Sequence, residues 1–249
     1  MRSIFIKSIG PLIGLLILSG FGFDTSRTVY LVGDSTMSVK DERYYPETGW
    51  GMPFKYFFDE SVRIENRAMN GRSTRSFIEE KRWQLVSDSL KAGDYVLIQF
   101  GHNDEVATKK TYTDEVGYQA NLHRFIKETK EKGAYPVLIT PVARRRFDAK
   151  GSVEGTHEIY SQLVRKVAME ASVPLIDLDQ LSQRLLQEFG EERSKDLYLH
   201  LAAGEHPNYP EGKVDDTHFS ELGARKMAQL VLQEMKRQRL PLIQHIVQR

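Results

Sequence analysis

The chain has 249 residues, 40% of them hydrophobic and 28% charged. These values exclude a collagen-like, disordered or multi-span membrane chain and make a soluble globular protein the expectation. Thirty-five basic residues against 34 acidic ones leave a net charge of +1. That supplies no field for gripping nucleic acid or anionic lipid, so charge has to be argued locally.

From the N-terminus, Met1–Phe23 begins with Arg2 and Lys7 and then runs apolar through Ile9-Gly10-Pro11-Leu12-Ile13-Gly14-Leu15-Leu16-Ile17-Leu18. A basic start followed by a short apolar run reads as a secretory signal peptide over 1–22. The run falls short of the roughly 20 apolar residues that cross a bilayer, and Pro11 interrupts it. The expectation is an exported protein, periplasmic or secreted, with no stable membrane anchor after cleavage. The absence of cysteine excludes a disulfide, a thiol nucleophile and the lipid attachment of a bacterial lipoprotein.

Past the leader, short β-branched or apolar runs alternate with longer segments of helical period, the pattern of a parallel sheet covered by helices. The strands are expected at Thr28–Val32, Val62–Asn66, Tyr95–Phe100, Pro136–Thr140 and Pro174–Ile176. Helices are expected at Trp50–Phe58, Thr74–Leu90, Asp114–Lys132, Thr156–Ala171, Leu178–Phe189 and Ser220–Gln238, where apolar residues recur every three or four positions. Residues 142–155 and 200–217 read as long irregular stretches. No repeat or Pro/Gly/Ser linker divides the chain, so residues 23–249 read as one α/β domain. In an open parallel sheet the loops at the carboxyl edge carry the ligand site.

The first strand ends in Gly33-Asp34-Ser35-Thr36-Met37, placing a serine hydroxyl on that edge, where a helix N-terminus would favour an oxyanion. Taken alone, Ser35 is as well read as a helix cap. A serine nucleophile needs a base, and among seven histidines His218 has the partner pattern, in Val214-Asp215-Asp216-Thr217-His218-Phe219. Either Asp215 or Asp216 can meet the imidazole and hold its tautomer. Oxyanion donors are offered by Asn66-Arg67-Ala68-Met69-Asn70-Gly71-Arg72-Ser73, where Gly71 exposes a backbone N–H, and by Gly101-His102-Asn103-Asp104, where Asn103 presents an amide.

These four blocks, in order, resemble the SGNH or GDSL-like hydrolase superfamily over nearly the whole mature chain. The resemblance implies a flavodoxin-like three-layer α/β/α sandwich with a five-stranded parallel sheet in order 2-1-3-4-5. It also implies Ser35 as nucleophile, Asp215 and His218 as its partners, and an oxyanion hole of the Ser35 and Gly71 N–H groups with the Asn103 side chain. Gly-Asp-Ser-Thr in place of Gly-Asp-Ser-Leu, with Asn70-Gly71-Arg72-Ser73-Thr74 and Asp216-Thr217-His218-Phe219, looks most like the rhamnogalacturonan acetylesterases.

Local charge bears on substrate. Arg144, Arg145 and Arg146 follow the fourth strand, and Arg72 and Arg75 follow the Asn-Gly turn. Arginine forks pair with carboxylates, as on a uronate polymer, although each arginine alone is equally well a solvated surface group. Lys40, Asp41, Glu42 and Arg43 after the serine, and Asp104 and Glu105 on the third-strand turn, suit an acyl chain poorly. Tyr44, Tyr45 and Trp50 offer flat faces to a sugar or, being near a helix start, to the core. The partner expected is an acetylated acidic polysaccharide or oligosaccharide, with no nucleic acid. Alternatives are a deacetylase of another glycan such as xylan, an esterase of small or lipid esters, and a catalytically silent glycan-binding protein of the same fold. His102, Asp104, Asp215, Asp216 and His218 lack ligand spacing, so no metal and no cofactor is expected.

Overall fold

The structure, a computed structural model, describes residues 27–247; the leader expected at 1–22 lies outside them. Five strands form one parallel sheet: β1 (Arg27–Gly33), β2 (Val62–Asn66), β3 (Tyr95–Gln99), β4 (Tyr135–Ile139) and β5 (Leu175–Ile176), in the order β2-β1-β3-β4-β5. The central register sets Gly33 beside Gln99 and Gln99 beside Ile139, so the carboxyl ends of β1, β3 and β4 lie side by side.

Side chains alternate across a strand, and here both faces are apolar. Val29, Leu31, Tyr95, Leu97, Val137 and Ile139 enter one buried cluster, while Tyr30, Val32, Val96, Ile98 and Leu138 enter the other. The first cluster is closed by α1 (Gly51–Phe54), α6 (Leu178–Arg193) and α7 (Glu221–Arg237). The second is closed by α2 (Thr74–Glu79), α3 (Arg82–Ser89), α4 (Glu115–Glu131) and α5 (Glu158–Glu170). This is the three-layer sandwich expected from the motifs. Met227, Val231 and Met235 form the buried stripe of α7, each contributing roughly 1.5–3 kcal/mol by leaving water. Ser220 caps that helix by accepting from the Gly223 N–H at 3.1 Å. No described helix is long and apolar enough to cross a membrane.

Three expectations need correction. The helix read over Trp50–Phe58 is only α1, followed by a 3-10 turn at Lys55–Phe57. The helix read over Thr74–Leu90 breaks in the charge run Glu79-Glu80-Lys81-Arg82, where Lys81 takes φ 58°; the break lets Phe77, Trp83 and Val86 share one buried cluster. The stretch 200–217 is not irregular throughout. β6 (Tyr198–Leu201) pairs antiparallel with β7 (Lys213–Phe219) in a two-stranded sheet outside the main one. Lys213-Val214-Asp215-Asp216-Thr217-His218 has too few apolar residues for a period-2 signal, and backbone pairing with β6 and with Thr48 shapes it instead.

Candidate active site

Ser35 stands in the turn after β1, and most of what holds it lies beneath it. The Asp34 carboxylate accepts from the Thr36 N–H at 3.0 Å and the Thr36 hydroxyl at 2.8 Å. The Gln99 amide donates to that hydroxyl at 2.8 Å and accepts from the Trp50 indole at 2.6 Å. All four partners are buried, so Trp50 is core and offers no face to a sugar. Burial works to raise the Asp34 pKa, but the neighbouring His102 and the Thr36 bonds hold it near 2.

No helix starts at Ser35, contrary to expectation. The Met37 and Ser38 N–H groups both return to the Asp34 carbonyl, and α1 begins only at Gly51. The positive charge below the serine is the Lys40 ammonium, which donates to the Ser35 carbonyl and, at 2.9 Å, to the Asn70 side chain. Lys40 is buried and lies 2.6 Å from the Glu47 carboxylate. Burial pulls its pKa down, and Glu47 opposes that shift.

His218 comes from β7. Its Nε2 lies 3.0 Å from Ser35 Oγ and its Nδ1 2.9 Å from Asp215 Oδ2. The other Asp215 oxygen accepts from the Thr217 and His218 N–H groups at 2.8 and 2.9 Å. Burial would raise the Asp215 pKa, but these bonds and the imidazole keep it well below the usual carboxylate range. Asp216 faces the other way, accepting from His200 at 2.8 Å and Arg145 at 3.1 Å. Of the two aspartates, Asp215 is therefore the one that meets His218.

The same cavity, about 490 Å³, is lined by Ser35, Gly71, Asn103 and His218. Gly71 has φ +74°, and an added Cβ would meet nothing within 4 Å, so conformation rather than crowding calls for glycine there. Among the described residues neither the Ser35 N–H nor the Gly71 N–H has a hydrogen-bond acceptor. The Asn103 amide is gripped at both ends: Nδ2 donates to the Arg72 carbonyl at 3.0 Å, and Oδ1 accepts from Lys109 Nζ at 2.9 Å. Its second N–H stays unpartnered. Next to it, Asp104 accepts from the Thr74 N–H and hydroxyl at 2.8 and 2.6 Å, tying the β3 edge to the start of α2. Its burial, against those bonds, raises its pKa to about 7.

Residues 31–226 match the GDSL-like Lipase/Acylhydrolase family. The chain belongs to this family. It is 43% identical over 222 residues to the rhamnogalacturonan acetylesterase RhgT of Bacillus subtilis, covering 89% of this chain and 94% of that one. It is 35% identical to the probable rhamnogalacturonan acetylesterase YesY of the same organism, over 88% of this chain and 97% of that one. The crystal structure of Bacillus subtilis YxiM is 29% identical, with a TM-score of 0.75, over 86% of this chain and 57% of that one. The protein is a serine hydrolase of the GDSL-like family, as the four motif blocks imply.

Of the five arginines singled out, the GDSL-like cavity receives one. Arg144 lines it, 3.1 Å from Glu105. Arg145 bonds Asp216, Ser194 and the Glu191 carbonyl, joining β7 to the end of α6. Arg146 pairs with Glu154 at 2.6 Å and Arg72 with Glu80 at 3.0 Å, both outside the cavity lining. Sequence reasoning missed Lys40, Glu47 and Lys109. Lys40 sits in a charge run that reads as solvated, and no signal in it marks burial. Lys109, six residues past Asn103, is visible only as a cation near a motif. Among the described residues no cluster of three His, Asp or Glu side chains is arranged to hold a metal ion.

Proposed function

We propose that this protein is an exported carbohydrate esterase that removes acetyl groups from pectin-type polysaccharide, rhamnogalacturonan in particular. The observation that carries the reading is the hydrogen-bonded chain Ser35–His218–Asp215, opening on a cavity with three unpartnered N–H donors. The names of the relatives at 43% and 35% identity support the substrate. Export rests on the basic-then-apolar character of Met1–Phe23.

In this reading His218 Nε2 takes the Ser35 proton as Oγ attacks the acetyl carbonyl carbon. The negative charge that develops on the carbonyl oxygen is met by the Ser35 and Gly71 N–H groups and the free Asn103 N–H. Lys109, on the far end of the Asn103 amide, orients it and draws electron density from it. His218 then gives its proton to the sugar oxygen as its bond to the acetyl carbon breaks, so that the sugar leaves with a free hydroxyl and acetyl-Ser35 remains. Water attacks that ester with His218 again as base, releasing acetate and restoring the serine. Asp215 stabilises the imidazolium at both stages. Arg144 and Lys109 at the cavity supply positive charge for a uronate carboxylate.

Acetate release from acetylated rhamnogalacturonan, acetylated xylan and a long-chain acyl ester, measured side by side, tests the substrate. The expected order places rhamnogalacturonan first by about tenfold or more in kcat/KM, a margin that polar recognition readily supplies. A rate on xylan or the acyl ester equal to or above that on rhamnogalacturonan contradicts it.

A further inference from the structure

A second concavity, about 740 Å³, shares the segment 44–48 with the Ser35 cavity: Tyr44 and Glu47 line the catalytic side, while Tyr45, Pro46 and Thr48 line the other. Its wall gathers side chains that a folded chain ordinarily hides. Tyr45 is 39% exposed, Tyr56 59% and Val39 57%, with Met52 and Ile64 beside them. Exposed aromatic and aliphatic groups collected in one depression mark a ligand groove.

The groove is held in shape. From the loop joining β6 to β7, the Asn208 amide donates to the Glu42 and Tyr45 carbonyls at 2.7 and 2.9 Å, and the Tyr209 hydroxyl donates to the Tyr44 carbonyl at 3.1 Å. Tyr44 and Tyr45 are therefore presented to adjoining cavities by a clamped backbone, which lowers the ordering cost of binding. Lys55 lies 4.8 Å over the Tyr56 ring and makes no ion pair among the described residues. Arg225, also in the wall, is already paired with Glu221 at 2.7 Å. Lys55 is thus a cation in the groove wall free to meet an anion.

We infer that this groove binds the stretch of glycan backbone flanking the acetylated sugar. Tyr45 and Tyr56 pack on sugar-ring faces, and Lys55 pairs with a uronate carboxylate. The inference rests on the acetylesterase reading and extends it from the reacting sugar to its neighbours. A glycan fits because a sugar ring has an apolar face for the tyrosine rings and hydroxyls at its edge for Asn66 and His206, which also line the groove. An acyl chain would offer Lys55 no anion to meet.

The test is the variant Tyr45→Ala/Tyr56→Ala beside Tyr45→Phe/Tyr56→Phe, which keeps the rings. On acetylated rhamnogalacturonan the alanine variant is expected to raise KM about tenfold with kcat little changed, the pattern for lost uniform binding. The phenylalanine variant is expected to stay near wild type, and nitrophenyl acetate, too small to span both cavities, is the control. Equal loss on polymer and small ester, or no loss on either, overturns the groove. A loss confined to a long-chain acyl ester overturns it in favour of an acyl site. A readout without turnover separates the groove from the esterase reading: Ser35→Ala protein in native gels containing deacetylated rhamnogalacturonan. Retardation that disappears when both tyrosines are also alanine supports the groove even if wild type proves inert on the acetylated polymer. Absent retardation, or retardation indifferent to the tyrosines, overturns it.

Discussion

The two halves of the catalytic cavity are built by opposite means. The serine side is anchored downward, through Asp34, Thr36, Gln99, Trp50 and Lys40, into buried polar groups packed against the main sheet. The base side stands on β7, in a two-stranded sheet apart from the main one, with the His218 and Asp215 side chains 27% and 17% exposed. Its order is local, made by two backbone N–H groups on one Asp215 oxygen. Removing a group on the base side should therefore cost chemistry and leave the fold alone, whereas removing one beneath the serine should cost the fold first.

The sharpest form of that contrast is His218→Ala, expected to lower kcat by about 10⁶. Asp215→Asn, which keeps the shape but loses the charge that favours imidazolium, is expected to lose about 10⁴. In both the thermal midpoint should stay within a few degrees of wild type by calorimetry. A large fall in midpoint would show that the hairpin is as structural as the sheet edge.

Lys40→Met reverses the signature. It strips the partner from Glu47, which is itself buried, and leaving one member of a buried ion pair alone typically costs about 3–5 kcal/mol. Denaturant unfolding should show that loss, and Lys40→Met/Glu47→Gln should recover much of it by removing the stranded charge. If the single variant unfolds like wild type, the support beneath Ser35 does not run through Lys40.

The smallest effect concerns His102, buried beside Asp34 at 3.5 Å and packed on His157 with ring centroids 4.2 Å apart. Burial first, and then the charge of His157, push its pKa down to about 4. A lowered histidine pKa means that the folded protein refuses a proton which the unfolded chain accepts. The stability is present above pH 6.5 and drains away as the pH falls from there toward 4. Asp104, its pKa raised to about 7, gains stability over the same window and opposes this, so the test is a difference: as the pH falls from 6.5 to 4, the thermal midpoint of His102→Gln should rise relative to that of wild type. An unchanged slope in the variant would locate the acid sensitivity elsewhere.

Legibility divides along the same line. The sheet reads from sequence because runs such as Val29–Val32 and Val96–Ile98 are buried on both faces and leave a continuous apolar signal. Ser35, Gly71 and Asn103 read as well, each sitting just after a strand where the chain must turn. Asp215 and His218 are visible as a spaced pair, but the strand carrying them is not, since β7 is mostly polar up to Phe219 and is held to β6 largely by backbone pairing. Lys40 and Glu47 are invisible for a different reason: a buried ion pair is spelled with the same residues as a solvated loop. The arginine run after β4 misleads for the converse reason. Three adjacent residues on irregular chain point in different directions, and only Arg144 reaches the cavity.

The central claim is that acetyl passes through Ser35 Oγ, and trapping the intermediate tests it most directly. Wild-type protein mixed with excess nitrophenyl acetate, quenched in acid within the first turnovers and digested, should carry the mass increment of one acetyl group on the peptide containing Ser35. Ser35→Ala should carry none and release no acetate above background. An acetyl group found on a different residue, or a Ser35→Ala variant within about tenfold of wild-type activity where loss of a serine nucleophile costs about 10⁶, would contradict the assignment.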